Sequence, residues 1–395
     1  NRRHSACCLK NPKWSHWQFS VMLNRVAKSQ SAALPGQKAF SGSYAAAEKP
    51  MRFRIMKSRP RIIAEIGNTH EGSLGLAKCF IQAAADCGID AVKFQTHIFE
   101  AESLSDAPNP PYFSDETRQE YFDRVGFNPE TWQKLKVYAE QECKVDFLSS
   151  PFSLEAVDLL ESIGVKAYKI ASGEVTNLPL LTKIAGTGKS VLLSSGMSSW
   201  SELDEAVETL INSGCRDLVI LQCTSEYPCP PEATGLNVLS DLKKRYDVPV
   251  GLSDHTIGSA VSIAAVAMGA SVIEKHFTLS KQMYGPDAKF SMTPPELKMM
   301  VDGIRDVEAA LATKIDKDQK AISLRVMRDT FQKSIVANTE IAAGTVIETH
   351  HLVFKKPGTG IPANRFKDLI GKKAIKKIQK NTMIDWNMLS SKKNG

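Results

Sequence analysis

The sequence is as informative for what it lacks as for what it holds. No apolar run in its 395 residues approaches the roughly 20 residues that a membrane-spanning helix needs, so no transmembrane segment is expected. The eight cysteines (7, 8, 79, 87, 143, 215, 223 and 229) include no CxxC pair and sit mostly in apolar contexts. Reduced structural thiols in an intracellular, cytoplasmic protein are therefore expected, and a zinc site is not. No GxGxxG turn follows the first apolar run; the stretch reads GNTHEG (67–72), which argues against an open nucleotide-binding sheet. Acid is scarce in one place. Residues 1–60 hold 12 of the 50 Lys and Arg but only Glu48 of the 43 Asp and Glu, leaving 38 bases against 42 acids in 61–395. The net charge of +7 thus belongs to a tail, and a nucleic-acid partner is not expected for the body. That tail is rich in Arg, Lys, Ser and Ala and is expected to be disordered. It reads either as an organelle-targeting segment or as a translated stretch upstream of Met51 or Met56.

What is present from residue 61 is an alternation. Short β-rich runs lie at 61–66, 90–95, 145–149, 166–171, 190–194, 217–222, 248–252 and 271–276. Helical patterns lie at 73–87, 130–143, 153–163, 178–186, 199–213, 236–246, 258–268 and 294–312. Strand then helix, eight times over about 250 residues, predicts an α/β fold, a (β/α)8 TIM barrel over 61–312. Residues 99–127, with Pro108, Pro110 and Pro111, form a long insertion after the second strand, placed as a lid, a substrate wall or mere decoration. Residues 313–333 read as a charged linker, and 334–391 as a small β-rich domain.

The C-terminal ends of barrel strands build the active site. Reading only those ends gives Glu65, Lys93 with Gln95, Ser149 with Ser150, Lys169 with Ser172, and Ser194 with Ser195. Gln222 with Tyr227, then Ser253, Asp254 and His255, and finally Glu274 with His276 complete the ring. Two lysines among hydroxyls favour an anionic ligand bearing phosphate or carboxylate; pairing of either lysine with Glu65 or Glu274 is the alternative. The Schiff-base lysine of an aldolase is a second reading of Lys169. His255 and His276, at the ends of adjacent strands, offer an open site for a divalent ion such as Mn²⁺. Glu274 shares the strand parity of His276 and is expected to face the interior one layer deeper.

Several stretches carry a resemblance: AEIGNTHEGS (64–73), VKFQT (92–96), SSPF (149–152), YKIASGE (168–174), LLSSGM (192–197), LQCTSEYP (221–228), GLSDHT (251–256), EKHFT (274–278) and GPDAKFS (285–291). Together they resemble the N-acetylneuraminate (sialic acid) synthase family, and GTGIP (358–362) resembles its C-terminal antifreeze-like (SAF) module. The resemblance implies a transferase that condenses phosphoenolpyruvate with N-acetylmannosamine or its 6-phosphate, giving N-acetylneuraminate or its 9-phosphate. A related legionaminic or pseudaminic acid synthase is the alternative. It further implies a metal (Mn²⁺, or Mg²⁺ or Co²⁺) on His255 and His276, with Glu65 orienting the sugar or taking a proton from water. Lys93, Ser150, Lys169, Ser172, Ser194 and Ser253 would hold phosphoenolpyruvate, and Gln95, Tyr227 and Asp287 would face the sugar. Ser225 and Lys356 stand at sugar-side positions where relatives commonly have Asn and Arg, and Thr69 and Ala288 also depart from the family pattern. The SAF module implies a domain-swapped homodimer in which it caps the barrel of a partner chain.

Overall fold

The computed structural model describes residues 59–109 and 116–393. The reading of 1–60 as a tail lies almost wholly outside the described residues, as do Pro110 and Pro111. Eight parallel strands close into a barrel in sequence order. They are β1 Arg61–Gly67, β2 Ala91–Thr96, β3 Asp146–Pro151, β4 Ala167–Ile170, β5 Ser190–Ser194, β6 Leu218–Cys223, β7 Val250–Asp254 and β8 Val272–His276. β7 lies two residues later than the pattern predicts; Pro249 has no N–H for the ladder and serves instead as an acceptor from Ile220. Ser253 and Asp254 thereby become strand residues.

Alternation along each strand sorts the side chains. The outward set, including Ile62, Val92, Phe94, Phe147, Tyr168, Leu193, Ile220 and Ile273, packs under the helices in the main core. The inward set begins apolar, with Ile63, Ala91, Leu148, Ala167, Leu192, Val219, Leu221 and Val272 filling the barrel floor. Two residues further along the same faces the chain turns polar, giving Glu65, Lys93, Ser150, Lys169, Ser194, Ser253 and Glu274, all buried. Gly251 belongs to the floor: a Cβ there would lie 2.5 Å from the Val272 carbonyl oxygen, so β7 approaches β8 only because that side chain is missing.

The helices start where their caps dictate. Ser73 caps α1 (Leu74–Asp86), and Phe99–Glu102 forms one turn, α2. Thr117 and Glu120 form a capping box on α3 (Arg118–Val125), and Asn128 with Pro129 opens α4 (Pro129–Val137). The insertion after β2 therefore contains two helical pieces. Around the rest of the barrel run α5 (Leu154–Ser162), α6 (Leu178–Gly186), α7 (Trp200–Asn212), α8 (Val238–Tyr246), α9 (Ala260–Ala267) and α10 (Pro294–Ala312).

The connection 313–333 is not structureless. Asp316 accepts from the amides of Asp318 and Gln319 and starts α11 (Lys317–Ser323), which leads into α12 (Arg325–Phe331). These helices carry exposed apolar side chains as well as charge: Ile322, Val326, Met327 and Phe331 are 66, 77, 53 and 55% exposed. Beyond them β9 (Ser334–Ala337) pairs with β10 (Leu352–Lys355), and β11 (Lys372–Ala374) with β12 (Leu389–Lys393), both antiparallel. This small domain has its own core, centred on Ile335, Ile347, Leu369 and Ile384. Among the described residues no helix is long and apolar enough to cross a membrane.

Candidate active site

Register places the chemistry. Glu65 lies opposite Lys93 on one side and His276 on the other, and Ser253 lies opposite Glu274. Four buried charges alternate across the mouth. Lys93 Nζ is 2.8 Å from Glu65 Oε2 and 3.9 Å from Glu274 Oε1, while Lys169 Nζ is 3.0 Å from Glu274 Oε1. Lys93 also donates to Ser150 at 3.2 Å, Ser253 to Glu274 at 3.0 Å, and Gln95 Nε2 to Glu65 Oε1 at 2.8 Å. The two lysines are thus paired with carboxylates, which the picture of cations among hydroxyls left open. Burial works against the charges of Lys93 and Glu274, and the attraction of their partners prevails. Burial would lower the Lys93 pKa, but Glu274 and then Glu65 hold it above the ordinary lysine value. Burial would raise the Glu274 pKa, but Lys169 and Lys93 hold it below the ordinary carboxylate value.

His255 and His276 face each other with ring centroids 5.4 Å apart. His255 Nδ1 sits 2.8 Å from the Thr224 carbonyl, which fixes that nitrogen as the donor. Burial would lower the His255 pKa, but the hydrogen bond and charge of Cys223, the Thr224 carbonyl and the Glu274 charge together outweigh it and the pKa is raised. Burial lowers that of His276, against the pull of Asp287 and Glu65, leaving a neutral ring whose Nδ1 lies 3.8 Å from Asp287 Oδ2. Tyr227 packs against His255 with ring centroids 4.2 Å apart and planes tilted by 36°, and meets His276 edge-on at 5.9 Å.

Among the described residues no group of three or more His, Cys, Asp or Glu side chains is arranged to hold a metal. Two imidazoles remain, one with a buried, unpartnered Nδ1. That pair, with a thiol touching one ring and a carboxylate facing the other, suits a borderline divalent ion that completes its shell with substrate oxygens and water. The donor set therefore fits the expected ion.

Sequence alone sets Cys223 beside an active-site loop without giving it a role. That residue ends β6 facing inward, opposite Ser253, and Ser172 Oγ lies 3.5 Å from its sulfur. Burial opposes its ionisation, yet His255, Lys169 and Ser172 together bring its pKa down to about 7. Gly196 covers this corner: a Cβ there would lie 2.5 Å from Ser172 Oγ, 2.6 Å from Ser225 Oγ and 3.1 Å from Cys223 Sγ. A cavity of about 460 Å³ lies behind it, lined by Ser195, Met197, Trp200, Cys223, Ser225 and Glu226 among others, beside the histidine pair and not at it. The other side of the mouth is closed by Gly67, whose φ of +55° places its backbone against Gln95, Asp287 and Glu65.

Of the residues singled out from sequence, the structure brings Glu65, Lys93, Gln95, Ser150, Lys169, Ser172, Ser194, Ser225, Tyr227, Ser253, His255, His276 and Asp287 to one end of the barrel. Lys356 is elsewhere, with its ammonium 5.0 Å over the Phe331 ring of α12. Four buried polar atoms at the mouth have no hydrogen-bond partner: Glu65 Oε2, Ser194 Oγ, Glu274 Oε2 and His276 Nδ1. Glu65 Oε2 is close to Lys93 but poorly aligned with it. Buried orphans are rare in folded proteins, and four around one barrel mouth mark where a ligand's polar groups would go.

Comparison with known proteins gives the same outline. The model of the NeuB family matches residues 80–316, and that of the SAF domain matches 332–390. The N,N'-diacetyllegionaminic acid synthase of Campylobacter jejuni is 41% identical over 332 residues, 82% of this chain and 98% of that protein. The N-acetylneuraminate-9-phosphate synthase of Homo sapiens is 35% identical over 330 residues, covering 82% and 90%. A crystal structure of N-acetylneuraminic acid synthetase from Leptospira borgpetersenii superposes with a TM-score of 0.61 at 31% identity, covering 68% of this chain and 92% of that one.

Proposed function

The chain belongs to the NeuB family, and from that premise we propose that it condenses phosphoenolpyruvate with an N-acylated amino sugar to make a nine-carbon keto-sugar acid. The observation that carries the reading is the mouth itself, where two buried lysines, four orphaned polar atoms and two facing imidazoles share one barrel end. In this reading Lys93 and Lys169, with Ser150, Ser172, Ser194 and Ser253, hold the phosphate and carboxylate of phosphoenolpyruvate. Gln95, Tyr227, Ser225 and Asp287 orient the open-chain sugar. C3 of the enol forms the new C–C bond with the aldehyde carbon, whose oxygen takes a proton and becomes a hydroxyl. Water adds at C2, losing its proton toward Glu65, and phosphate departs with cleavage of its C–O bond. Glu65 also stabilises the cationic character that develops at C2. His255 and His276 would hold a divalent ion such as Mn²⁺, which polarises the aldehyde when bound.

The acceptor sugar is drawn from the sugars that such synthases use: N-acetylmannosamine, its 6-phosphate, or a diacetamido hexose of the legionaminic or pseudaminic type. Phosphate release from phosphoenolpyruvate with Mn²⁺, offering each sugar in turn, tests the proposal; folded protein that turns over none of them would sink it. His276→Ala should abolish stimulation by added metal while leaving the fold intact. Full activity of that variant without metal would refute the ligand assignment.

A Schiff-base aldolase acting through Lys169 is the second reading. Imine formation needs a free amine with room for a carbonyl carbon, whereas Glu274 occupies this ammonium at 3.0 Å. Borohydride reduction in the presence of pyruvate should leave Lys169 unmodified.

For assembly we propose a homodimer in which the exposed apolar side chains of α11 and α12 are covered by a second copy, whose small domain brings Lys356 to the partner's mouth. Four large apolar side chains more than half exposed on two short helices support it. Sedimentation equilibrium should give twice the chain mass; a monomer at micromolar concentration would overturn it.

A further inference from the structure

His97 lies just past β2, and its side chain, 8% exposed, is held between two rings and two polar groups. Its ring is sandwiched between Phe122 of α3, at 3.9 Å and 9°, and Phe152 beyond β3, at 4.1 Å and 16°. Nδ1 lies 2.8 Å from Glu102 Oε1 at the end of α2, and Nε2 lies 3.1 Å from Gln95 Oε1. Both ring nitrogens face oxygens, and because the Gln95 amide oxygen can only accept, Nε2 is the donor toward it.

The consequence falls on Gln95. Its amide has a donating end and an accepting end of nearly equal shape, and only the donating end suits a carboxylate. Gln95 Nε2 does donate to Glu65 Oε1, at 2.8 Å. The amide oxygen must then point the opposite way, and that orientation holds only if a donor waits there. Asn68 Nδ2 is at the 3.5 Å limit, which leaves His97 Nε2 as the closer donor. Remove it, and an amide oxygen turned toward Glu65 becomes competitive, placing two acceptors in contact.

We propose that His97 is a positioning residue, one that fixes the Gln95 amide and through it the Glu65 carboxylate. The proposal rests on the synthase reading of the mouth given above. The two phenyl rings remove the freedom of the imidazole to rotate, and Glu102 removes its freedom to slide. The cost of ordering Gln95 is thus met on folding and not at the moment of reaction. Because α3 supplies one of those rings, the segment after β2 supports the mouth from behind.

A double-mutant cycle separates positioning from simple stability. His97→Asn places its amide at Glu102 but cannot reach Gln95, and His97→Gln restores a donor near the Nε2 position. Phosphate release with an acceptor that the wild-type protein turns over should fall roughly tenfold to a hundredfold in His97→Asn. It should recover most of that loss in His97→Gln, with KM for phosphoenolpyruvate unchanged in both. In a Gln95→Ala background His97→Asn should have no further effect. Equal losses with and without Gln95 would overturn the proposal. If the wild-type protein turns over no acceptor, the synthase reading is what has failed, and a crystal structure of His97→Asn decides the positioning role alone. A Gln95 amide turned away from Glu65 supports it; an unmoved one overturns it.

Discussion

Replacing His70 with phenylalanine should remove much of the acid sensitivity of the fold. His70 is fully buried, stacked on Phe127 at 4.6 Å and set edge-on to Trp132. Its Nδ1 accepts from the Gly72 amide at 3.2 Å, so the proton sits on Nε2, which has no partner. Burial, reinforced by the Arg124 charge, lowers its pKa to about 3. The unfolded chain titrates near the ordinary histidine value of about 6.5. Between those values the unfolded state binds a proton that the folded state refuses, so stability falls as pH falls. From pH 7 to pH 5 the loss is about 2 kcal/mol, reaching about 3 kcal/mol by pH 4. The phenylalanine variant keeps the stacking and loses one acceptor, costing about 1 kcal/mol at pH 7. It carries no such proton linkage, so the two stability curves should cross near about pH 5.7. Urea unfolding of both proteins at pH 7, 6 and 5, followed by tryptophan fluorescence, measures the difference, with every other titrating group cancelling. Curves that stay parallel within about 0.5 kcal/mol would refute the reasoning, because they would mean that folding does not withhold a proton from His70.

Behind the mouth, Lys275 pairs with Asp254 at 2.9 Å and donates to the Thr256 carbonyl at 2.5 Å, while Asp254 accepts from the Thr256 amide and Ser262. Lys275→Met leaves Asp254 as an unpaired buried charge and should cost about 3–5 kcal/mol, read as a large fall in Tm, with partial recovery when Asp254→Asn is added. At the opposite rim, Gly67→Ala forces a side chain into φ +55°, with its Cβ 3.3 Å from Gln95 Nε2. It should cost about 1–2 kcal/mol of stability and lower phosphate release more than that loss alone explains; unchanged kinetics would contradict the placement of Gln95. Chelation should abolish turnover of the wild-type protein, and Mn²⁺ should restore it. Activity that survives exhaustive chelation would count against the histidine pair as a metal site.

How much of this was written in the sequence varies with the range of the interaction. Strand-then-helix alternation is local and survives intact in the chain, which is why the barrel and its order were legible. The polar strand ends were legible for a related reason: period-two alternation fixes which face Lys93, Lys169 and Glu274 share. Pairing across the mouth was not. Glu274 meets Lys169 over 105 residues of separation, and nothing local tells whether a lysine awaits a ligand or already has a carboxylate. His97 was invisible for the same reason, since its clamp joins α3 to the end of β3. Cys223 flanks the active-site loop in sequence, but only the closing of the barrel sets it against His255. In 313–333 the high charge drew attention away from Asp316, whose capping oxygen starts a helix.

The alternation of Glu65, Lys93, Glu274 and Lys169 has a consequence for selectivity. Two positive and two negative groups leave the walls electroneutral at rest, so an incoming phosphate finds no idle cation and must compete with carboxylates already in contact. A bare anion gains little from that exchange. A ligand that arrives with its own countercharge, or that offers the displaced carboxylates a proton or a cation, gains much more. Such a lattice weakens the hold on free inorganic phosphate, which would meet the Glu65 and Glu274 carboxylates as well as the two lysines.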